Sequence, residues 1–454
     1  MSHHVDTIIS GKWIVTVDQD NTVLRDHSLI IKGGNIVDIV ANASNPYTAD
    51  NVIDRSECLL MPGLINAHTH AAMSLFRGLA DDLPLMTWLN DHIWPAEGKW
   101  VSDDFVHDGT QLAMAEMIRG GTTCFSDMYF FPNVVAKAAN EAHMRCSITF
   151  PILEFPSAWA TGPDDYLHKG LQLHDDFRNN ELVNVNFGPH APYTVSDAPL
   201  KRISTISVET SMTVQIHLHE TAHEVEEALS QTGKRPIERL NDLGLLTPQL
   251  QAVHMTQLTD DDILLLAENG VHVVHCPESN LKLASGFSPV AKLHAAGVNV
   301  ALGTDGAASN NDLDMFSEMR TAALLAKGVS GNPAAIPAEE ALRMATINGA
   351  KAMGIEEITG SLEIGKAADI IALSLNSNPE TQPFYNPISQ LVYATTADKV
   401  TDSWVAGKQL MKDRQLLTLE TDEILIRAAE WQQKIAAADL QPADTQPTPA
   451  AEQE

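Results

Sequence analysis

The chain of 454 residues is too long for one ordinary small domain, and its 59 acidic and 29 basic residues give a net charge of −30. Such a surface repels nucleic-acid phosphates and anionic lipids, which disfavours both as partners. A hydrophobic fraction of 44% predicts a globular chain with a large core. No apolar run approaches the roughly 20 residues of a membrane span.

The first residues and the cysteines predict a cytoplasmic protein. The segment Met1–Asp6 lacks the basic start and apolar run of a signal peptide. The four cysteines are scattered and form no Cys-x-x-Cys pair, so a disulfide framework is not expected: Cys58, Cys124, Cys146 and Cys276.

Short β-branched runs separated by Gly, Asp and Asn predict strands in the first sixty residues: Asp6–Ser10, Trp13–Val17, Ser28–Lys32 and Asn35–Val40. From Leu59 onward, apolar runs alternate with helix-length segments, a pattern typical of βα units around a parallel sheet. Eight such runs are present, enough for a TIM-type barrel: Leu60–Ala67, Thr122–Asp127, Arg145–Pro151, Val183–Pro189, Thr213–His219, Gln251–Met255, Val271–Cys276 and Val298–Thr304.

After about residue 355 the sequence again predicts strands, and residues 421–438 predict a helix. The last segment, 439–454, contains four acidic and no basic residues and is predicted to be disordered. We therefore expect an α/β fold, a (β/α)8 TIM-type barrel over 60–357 with a small β-sandwich domain built from both termini, 1–59 and 358–420.

The first candidate site residues lie at the end of the first predicted barrel strand, in Pro-Gly-Leu-Ile-Asn-Ala-His-Thr-His at 62–70. Alternate residues of a strand point to one side, so His68 and His70 converge. The carboxyl ends of barrel strands form the face that carries active sites. Two surface histidines are the alternative interpretation of a bare His-x-His pair.

A second pair, His217 and His219, ends the strand that begins at Thr213, and Glu220 follows it. The letters from His219 to His223 also spell H-E-x-x-H, the helical zinc motif of metalloproteases. That motif needs both histidines on one helical turn, whereas His219 ends a predicted strand. The metalloprotease interpretation also leaves the first histidine pair without a role.

Two further strand ends carry His254 and Asp305. A chance occurrence of these residue types at four separate strand ends is improbable. Three histidines and one carboxylate suit a borderline divalent metal such as zinc, with one position left open.

These motifs resemble those of the amidohydrolase superfamily, in its mononuclear-metal deaminase branch. The resemblance covers nearly the whole chain and rests also on G-T-T-C-F-S-D-M (121–128), G-P-H-A-P-Y-T (188–194), H-C-P-E-S-N-L-K-L-A-S-G (275–286), G-T-D-G-A-A-S-N-N (303–311) and G-S-L-E-I-G-K-A-A-D (360–369). Within the branch, Met86–Leu89 and Trp94–Glu97 resemble the deaminases of 5′-methylthioadenosine and S-adenosylhomocysteine.

The resemblance implies hydrolytic removal of the 6-amino group of an adenine nucleoside by a homo-oligomer, a dimer or tetramer. It implies one zinc ion per subunit, or iron(II), on four ligands: His68, His70, His217 and Asp305. It implies that Glu220 protonates the purine, that His254 holds the attacking water and that Asp305 accepts a proton. The implied substrate contacts are Trp88, Glu97 at the ribose hydroxyls, His190 at the purine, Glu220, Asp305 and Ser309.

One departure concerns the loop after the third barrel strand, where some members carry arginines for the carboxylate of S-adenosylhomocysteine. Residues 146–177 contain no arginine, and Lys169 is their only lysine. Methylthioadenosine or adenosine is therefore the expected substrate.

Two other classes of function remain as alternatives. A hydrolase of a free base or a triazine-like heterocycle would use the same ligands, but it would have no ribose diol for Glu97. A metal-free binding protein of the same fold would have lost ligand positions, whereas all four are intact here.

Overall fold

The computed structural model describes residues 3–375 and 379–439. These residues form sixteen strands: β1 His3–Val15, β2 Val23–Lys32, β3 Asn35–Ala41, β4 Tyr47–Pro62, β5 Leu64–Thr69, β6 Thr122–Asp127, β7 Arg145–Ile152, β8 Val183–Pro189, β9 Val214–Leu218, β10 Leu250–His254, β11 His272–His275, β12 Val300–Leu302, β13 Ile370–Leu373, β14 Val400–Val405, β15 Lys408–Lys412 and β16 Gln415–Leu416. No helix within the described ranges is long and apolar enough to cross a membrane.

The connecting helices are α1 Leu85–Thr87, a π-helical turn Trp88–Ile93, α2 Trp94–Trp100, α3 Asp103–Arg119, α4 Pro132–Ala142, α5 Pro163–Phe177, α6 Asp197–Thr210, α7 Ala222–Thr232, α8 Pro236–Asp242, α9 Asp260–Glu268, α10 Pro277–Lys282, α11 Val290–Ala295, α12 Met315–Ser330, α13 Ala338–Met344, α14 Ile347–Ala352, α15 Pro387–Tyr393 and α16 Thr421–Asp439. Short 3-10 turns cover Asn42–Ser44, Ala71–Phe76, Pro379–Thr381 and Ala397–Lys399. The predicted tail beyond Asp439 lies outside the described residues.

Strands β5 to β12 form one parallel sheet in chain order, with helices between successive strands. The sheet is closed by a parallel bridge between Thr69 and Asp305, where the Asp305 amide donates to the His68 carbonyl at 3.0 Å. The predicted TIM-type barrel is confirmed. Strands β6 to β12 coincide with their predicted segments to within two residues at each end.

The other eight strands form a second sheet in the order β16-β15-β14-β13-β4-β1-β2-β3, so both ends of the chain contribute to it. Its two ends approach each other, because the Ala368 amide donates to Gly34 and the Gly407 amide donates to Ala368. The folded sheet encloses a second core that includes Ile9, Leu29 and Trp404. The small β domain from both termini is thus confirmed.

Three predicted boundaries in this domain were wrong. Asp6–Ser10 and the first three residues of Trp13–Val17 belong to one strand, β1, which ends at Val15 and has a shift in register between Gly11 and Trp13. Strand β4 was missed because its first half is polar and largely exposed. The run Leu60–Ala67 is divided at Gly63, since β4 ends at Pro62 and the barrel strand begins at Leu64. A Cβ at Gly63 would lie 1.9 Å from Thr123 Oγ1, so glycine fits this junction and larger residues do not.

An ion pair joins the two units. Arg145 at the start of β7 donates to the Asp369 carboxylate at 2.7 and 3.2 Å, and both side chains are buried. Asp369 also accepts from the Ala406 amide at 2.7 Å. Loss of one partner of a buried pair leaves an uncompensated charge, so this contact fixes the barrel against the β domain.

Candidate active site and metal centre

Four side chains from three strand ends converge inside the carboxyl-terminal mouth of the barrel. His68 and His70 come from the end of β5, His217 from β9, and Asp305 from the turn after β12, and their ligand atoms lie within 4.8 Å of one another. Asp305 Oδ1 is 3.4 Å from His68 Nε2 and 3.2 Å from His70 Nε2. The structure therefore brings together all four predicted ligands.

The hydrogen bonds around these histidines fit a metal site. His68 Nδ1 lies 2.7 Å from Gln215 Oε1, His70 Nδ1 lies 2.5 Å from the Met128 carbonyl, and His217 Nδ1 lies 2.8 Å from the His190 carbonyl. Because each partner is an acceptor, each Nδ1 carries a proton, and the three Nε2 atoms, grouped with Asp305, are left as the candidate ligand atoms. This is the arrangement in which protein histidines hold metals.

The pKa values of the three histidines also support a metal site. Burial lowers the pKa of His68 and holds that of His217 well below its usual range, which keeps both imidazoles neutral, as metal ligands must be. Burial also lowers the pKa of His70, but its contact with Asp305 outweighs this effect and raises the value to about 9. A divalent cation between His70 and Asp305 would take the place of the proton that they share.

Three of the strand ends turn sharply through residues with left-handed backbone. His219, His254 and Asp305 have φ values of +52°, +76° and +63°. A residue with a side chain adopts this conformation at a cost of about 1–2 kcal/mol, so the surrounding structure must hold it. These turns direct the side chains that follow β9, β10 and β12 into the mouth of the barrel.

Glu220 and His254 lie beside the ligand set. His254 Nδ1 donates to Asn280 Oδ1 at 2.9 Å, which leaves its Nε2 as an acceptor 3.8 Å from Glu220 Oε2. Burial, reinforced by the negative charge of Asp305, raises the pKa of Glu220 to about 8. A buried carboxyl that holds its proton at neutral pH is suited to act as an acid.

The free oxygen of Asp305 is held by two hydroxyl groups. Ser279 and Ser309 donate to Asp305 Oδ2 at 2.7 and 2.8 Å. Ser309 was predicted as a site residue, whereas Ser279 was not. Gln215 and Asn280, which orient His68 and His254, were also not predicted. Gln215 could have been found, because it lies two residues before His217 and therefore on the same face of β9.

Three of the four ligands, His70, His217 and Asp305, line a cavity of about 260 Å³. Trp88 and Glu97 reach it from the segment before α3, and aromatic side chains such as Tyr129 and Phe155 form much of its wall. Glu97 accepts from the Tyr129 hydroxyl at 2.8 Å, and burial raises its pKa to about 7. The predicted substrate contacts thus share one cavity with the ligands.

His190, at the turn after β8, also lines this cavity. Its Nδ1 lies 3.0 Å from the Thr194 hydroxyl. Burial and the neighbouring histidines lower its pKa to about 3, so the ring is neutral. One nitrogen, Nε2, is thereby left for a bound molecule.

The family model for the amidohydrolase family matches residues 59–410. The chain belongs to the amidohydrolase family. A protein of Saccharophagus degradans named 5-methylthioadenosine/S-adenosylhomocysteine deaminase is 56% identical, over 95% of this chain and 97% of the relative. A 5′-deoxyadenosine deaminase of Methanothermobacter thermautotrophicus is 43% identical, over 92% of this chain and 95% of the relative.

Solved structures agree with the fold of this amidohydrolase. An adenosine deaminase from Xanthomonas campestris with bound zinc is 46% identical and has a TM-score of 0.95, over 96% of this chain and 100% of that one. The atrazine chlorohydrolase TrzN of Arthrobacter aurescens, with zinc, has a TM-score of 0.88 at 21% identity, over 94% of this chain and 100% of that one. The second likeness shows the shared fold alone.

The amidohydrolase does not use its H-E-x-x-H letters as a metal motif. His219 is buried, with Nδ1 3.0 Å from the Gln257 carbonyl and Nε2 accepting from the Ile237 amide at 3.1 Å. His223 is exposed on α7 and lies 3.6 Å from Glu227. The two rings therefore belong to different surroundings, as expected for a histidine that ends a strand.

Proposed function

We propose that this amidohydrolase is a metal-dependent deaminase that replaces the 6-amino group of an adenine nucleoside by oxygen and releases ammonia. The observation that carries the proposal is the position of Glu220 and His254, which flank the three-histidine and aspartate set and line the same cavity as three of its ligands. The relatives named as deaminases of 5-methylthioadenosine, S-adenosylhomocysteine and 5′-deoxyadenosine support the substrate class.

The donor set fits zinc or iron(II), held by His68, His70, His217 and Asp305. A divalent metal in this position activates a water molecule for attack at neutral pH. The remaining chemistry belongs to the side chains around it.

In the proposed reaction, water attacks purine C6 while Glu220 donates its proton to ring N1. Protonation of N1 makes C6 more susceptible to attack. Asp305 accepts a proton from the attacking water, and His254 orients that water through its unprotonated Nε2. The proton on Asp305 then passes to the amino group, the bond between C6 and nitrogen breaks, and ammonia leaves, while the remaining hydroxyl proton at C6 returns to Glu220. Water and nucleoside are thereby converted into ammonia and the 6-oxo product.

Glu97 is proposed to accept hydrogen bonds from the two ribose hydroxyls. Because each of the two hydrogen bonds to a charged group contributes about 1.5–3 kcal/mol, Glu97→Ala is expected to raise the KM for adenosine at least about 100-fold. Free adenine has no ribose, so the kinetic constants for its slower deamination should change little. Steady-state kinetics with both substrates measures the difference.

Asp91→Ala is the control for this experiment, because Asp91 is exposed on the same helical segment. Its kinetic constants should match those of the unsubstituted enzyme. An equal change for adenosine and adenine in Glu97→Ala would instead favour a hydrolase of free bases or triazine-like heterocycles.

The charge of the cavity predicts which nucleosides are accepted. Its described lining contains three acidic residues, Glu97, Glu220 and Asp305, and neither lysine nor arginine. Lys169 is occupied by the Trp159 carbonyl and Asp165 at 2.6 and 3.1 Å. We therefore expect adenosine and methylthioadenosine to be preferred over S-adenosylhomocysteine, whose carboxylate has no cationic partner in the cavity.

The same reasoning predicts that a nucleotide is rejected. Two phosphate charges near the carboxylates of Glu97 and Asp305, with no lysine or arginine in the described lining, should lower kcat/KM for AMP at least about 100-fold below that for adenosine. Ultraviolet monitoring of the conversion of adenine to hypoxanthine across the four compounds measures this ranking. Comparable values for AMP and adenosine would contradict the proposal that the cavity excludes anionic groups.

We further propose a homo-oligomer, a dimer or tetramer, that acts in the cytoplasm and binds no nucleic acid. All four cysteines are free, and three of them are buried. The net charge of −30 opposes binding to nucleic acid. Light scattering on the purified full chain tests the oligomeric state.

A further inference from the structure

Glu224, in the first turn of α7, has a buried side chain that faces the loop carrying Glu220. Its Oε1 accepts from the His219 amide at 3.0 Å, and its Oε2 accepts from the Glu220 amide at 2.7 Å. Glu224 lines a groove next to the active-site cavity and is not among the residues that line the cavity itself. Its contacts are therefore with the backbone of the acid and not with a substrate.

The loop needs such a partner. The backbone at His219 is left-handed, with φ of +52°, although the residue carries a side chain. This turn sets the direction in which Glu220 leaves the barrel strand. With no other acceptor, the two consecutive amides would be buried without a hydrogen bond, and the turn would lose its support.

A helix cap alone does not account for this geometry. Thr221 caps α7, since its side chain accepts from the Glu224 amide at 3.2 Å. In the usual capping box, a glutamate at this position returns to the amide of the cap residue itself. Here Glu224 passes Thr221 and binds the amides of the two residues before it.

The next peptide group, on the carbonyl side of Glu220, is also held. The carbonyl oxygen of Glu220 accepts from the Thr256 hydroxyl at 2.6 Å. Glu224 and Thr256 thus fix the amide and the carbonyl of Glu220, which restricts its movement to the torsions of its own side chain. A carboxyl held this way stays within reach of His254 and the cavity.

We infer that Glu224 is a positioning residue for the proposed catalytic acid, since its two backbone hydrogen bonds hold Glu220 in the orientation that proton donation requires. The inference rests on the proposed deaminase function.

The test compares Glu224→Ala, Glu224→Gln and the control Glu227→Gln, each as the full chain loaded with zinc. Glu227 is exposed one turn later on α7 and lines the same groove. A small misplacement of a reacting group costs about 100-fold, so Glu224→Ala should lower kcat for adenosine by that factor. Its KM should stay within about threefold of the parent value, because substrate contacts are intact.

Glutamine preserves the size of the side chain and one acceptor, so Glu224→Gln should fold normally and give an intermediate kcat. Glu227→Gln should match the parent. Metal content by atomic emission and thermal melting accompany each measurement. All variants should hold one zinc per chain, because none of the ligands is altered.

Two results would overturn the inference. One is a folded, zinc-loaded Glu224→Ala with kcat within about twofold of the parent, because a misplaced acid cannot support near-normal turnover. The other is a loss of activity that follows loss of zinc and is restored by adding zinc. An unsubstituted enzyme that deaminates no nucleoside would contradict the proposed function as well.

Discussion

Replacement of Glu220 by glutamine is expected to lower kcat for adenosine by about 100- to 10,000-fold, the usual contribution of a positioned acid. Glutamine keeps the shape of the side chain but has no proton to give to ring N1. Burial and the charge of Asp305 keep the Glu220 carboxyl protonated at neutral pH, since they raise its pKa to about 8. Absorbance of adenine and hypoxanthine nucleosides follows the reaction directly.

The pH dependence of kcat is a second test of the acid role of Glu220. An acid donates only in its protonated form, so kcat of the parent should fall as the pH rises through the pKa of Glu220. A bound cation lowers that pKa by attraction, which places the fall at a lower pH than in the metal-free site. Glu220→Gln should lack this alkaline limb.

The control is Glu226→Gln, on the exposed side of α7, which should behave like the parent. Zinc content of Glu220→Gln should be unchanged, because Glu220 is not among the four ligands. A zinc-loaded Glu220→Gln with full turnover would refute the acid role and leave the metal site unaffected.

Removal of the metal is expected to have the second large effect. A metal contributes several kcal/mol to such reactions, so dialysis against a chelator should lower the rate at least about 1,000-fold, and added zinc should restore it. His217→Ala removes one of three imidazole ligands and should lose both zinc and activity. Metal analysis and the deamination rate are measured on the same samples.

His223→Ala is the matched control for His217→Ala. His223 is exposed on α7 and is absent from the ligand set, so this variant should keep its zinc and its rate. Loss of zinc in His223→Ala, together with chelator-sensitive cleavage of casein, would favour the metalloprotease interpretation of the H-E-x-x-H letters. Retention of activity without any metal would contradict the proposed chemistry.

The barrel and its ligands could be predicted from the sequence because the signals are local. Each ligand ends or follows a short apolar run, and the carboxyl ends of parallel strands meet at one face. The predicted ligands His68, His70, His217 and Asp305 accordingly lie together in the structure. The roles proposed for them and for Glu220 stay predictions until the variants are measured.

The residues that were missed depend on contacts that no local pattern records. Gln215 meets His68 across the barrel, 147 positions away, and Asn280 meets His254 from a separate helix. No local pattern distinguishes Glu224 from the other acidic residues of α7, because its two hydrogen bonds are made to the backbone of the preceding turn. Strand β4 was missed because pairing with β1 stabilises a polar sequence that has little strand propensity of its own.

The division of the outer sheet between the two ends of the chain has a consequence for biosynthesis. Strand β4 pairs with β1 on one side and with β13 on the other. Leu60 therefore has no strand partner on that second side until Ala372 has been synthesised. While a ribosome makes the barrel, that edge of β4 has no partner, and unpaired edges are templates for other chains. The edge of β4 is therefore protected from pairing with other chains only after the last strands have been synthesised. In a chain that stops before Ile370, this edge stays unpaired.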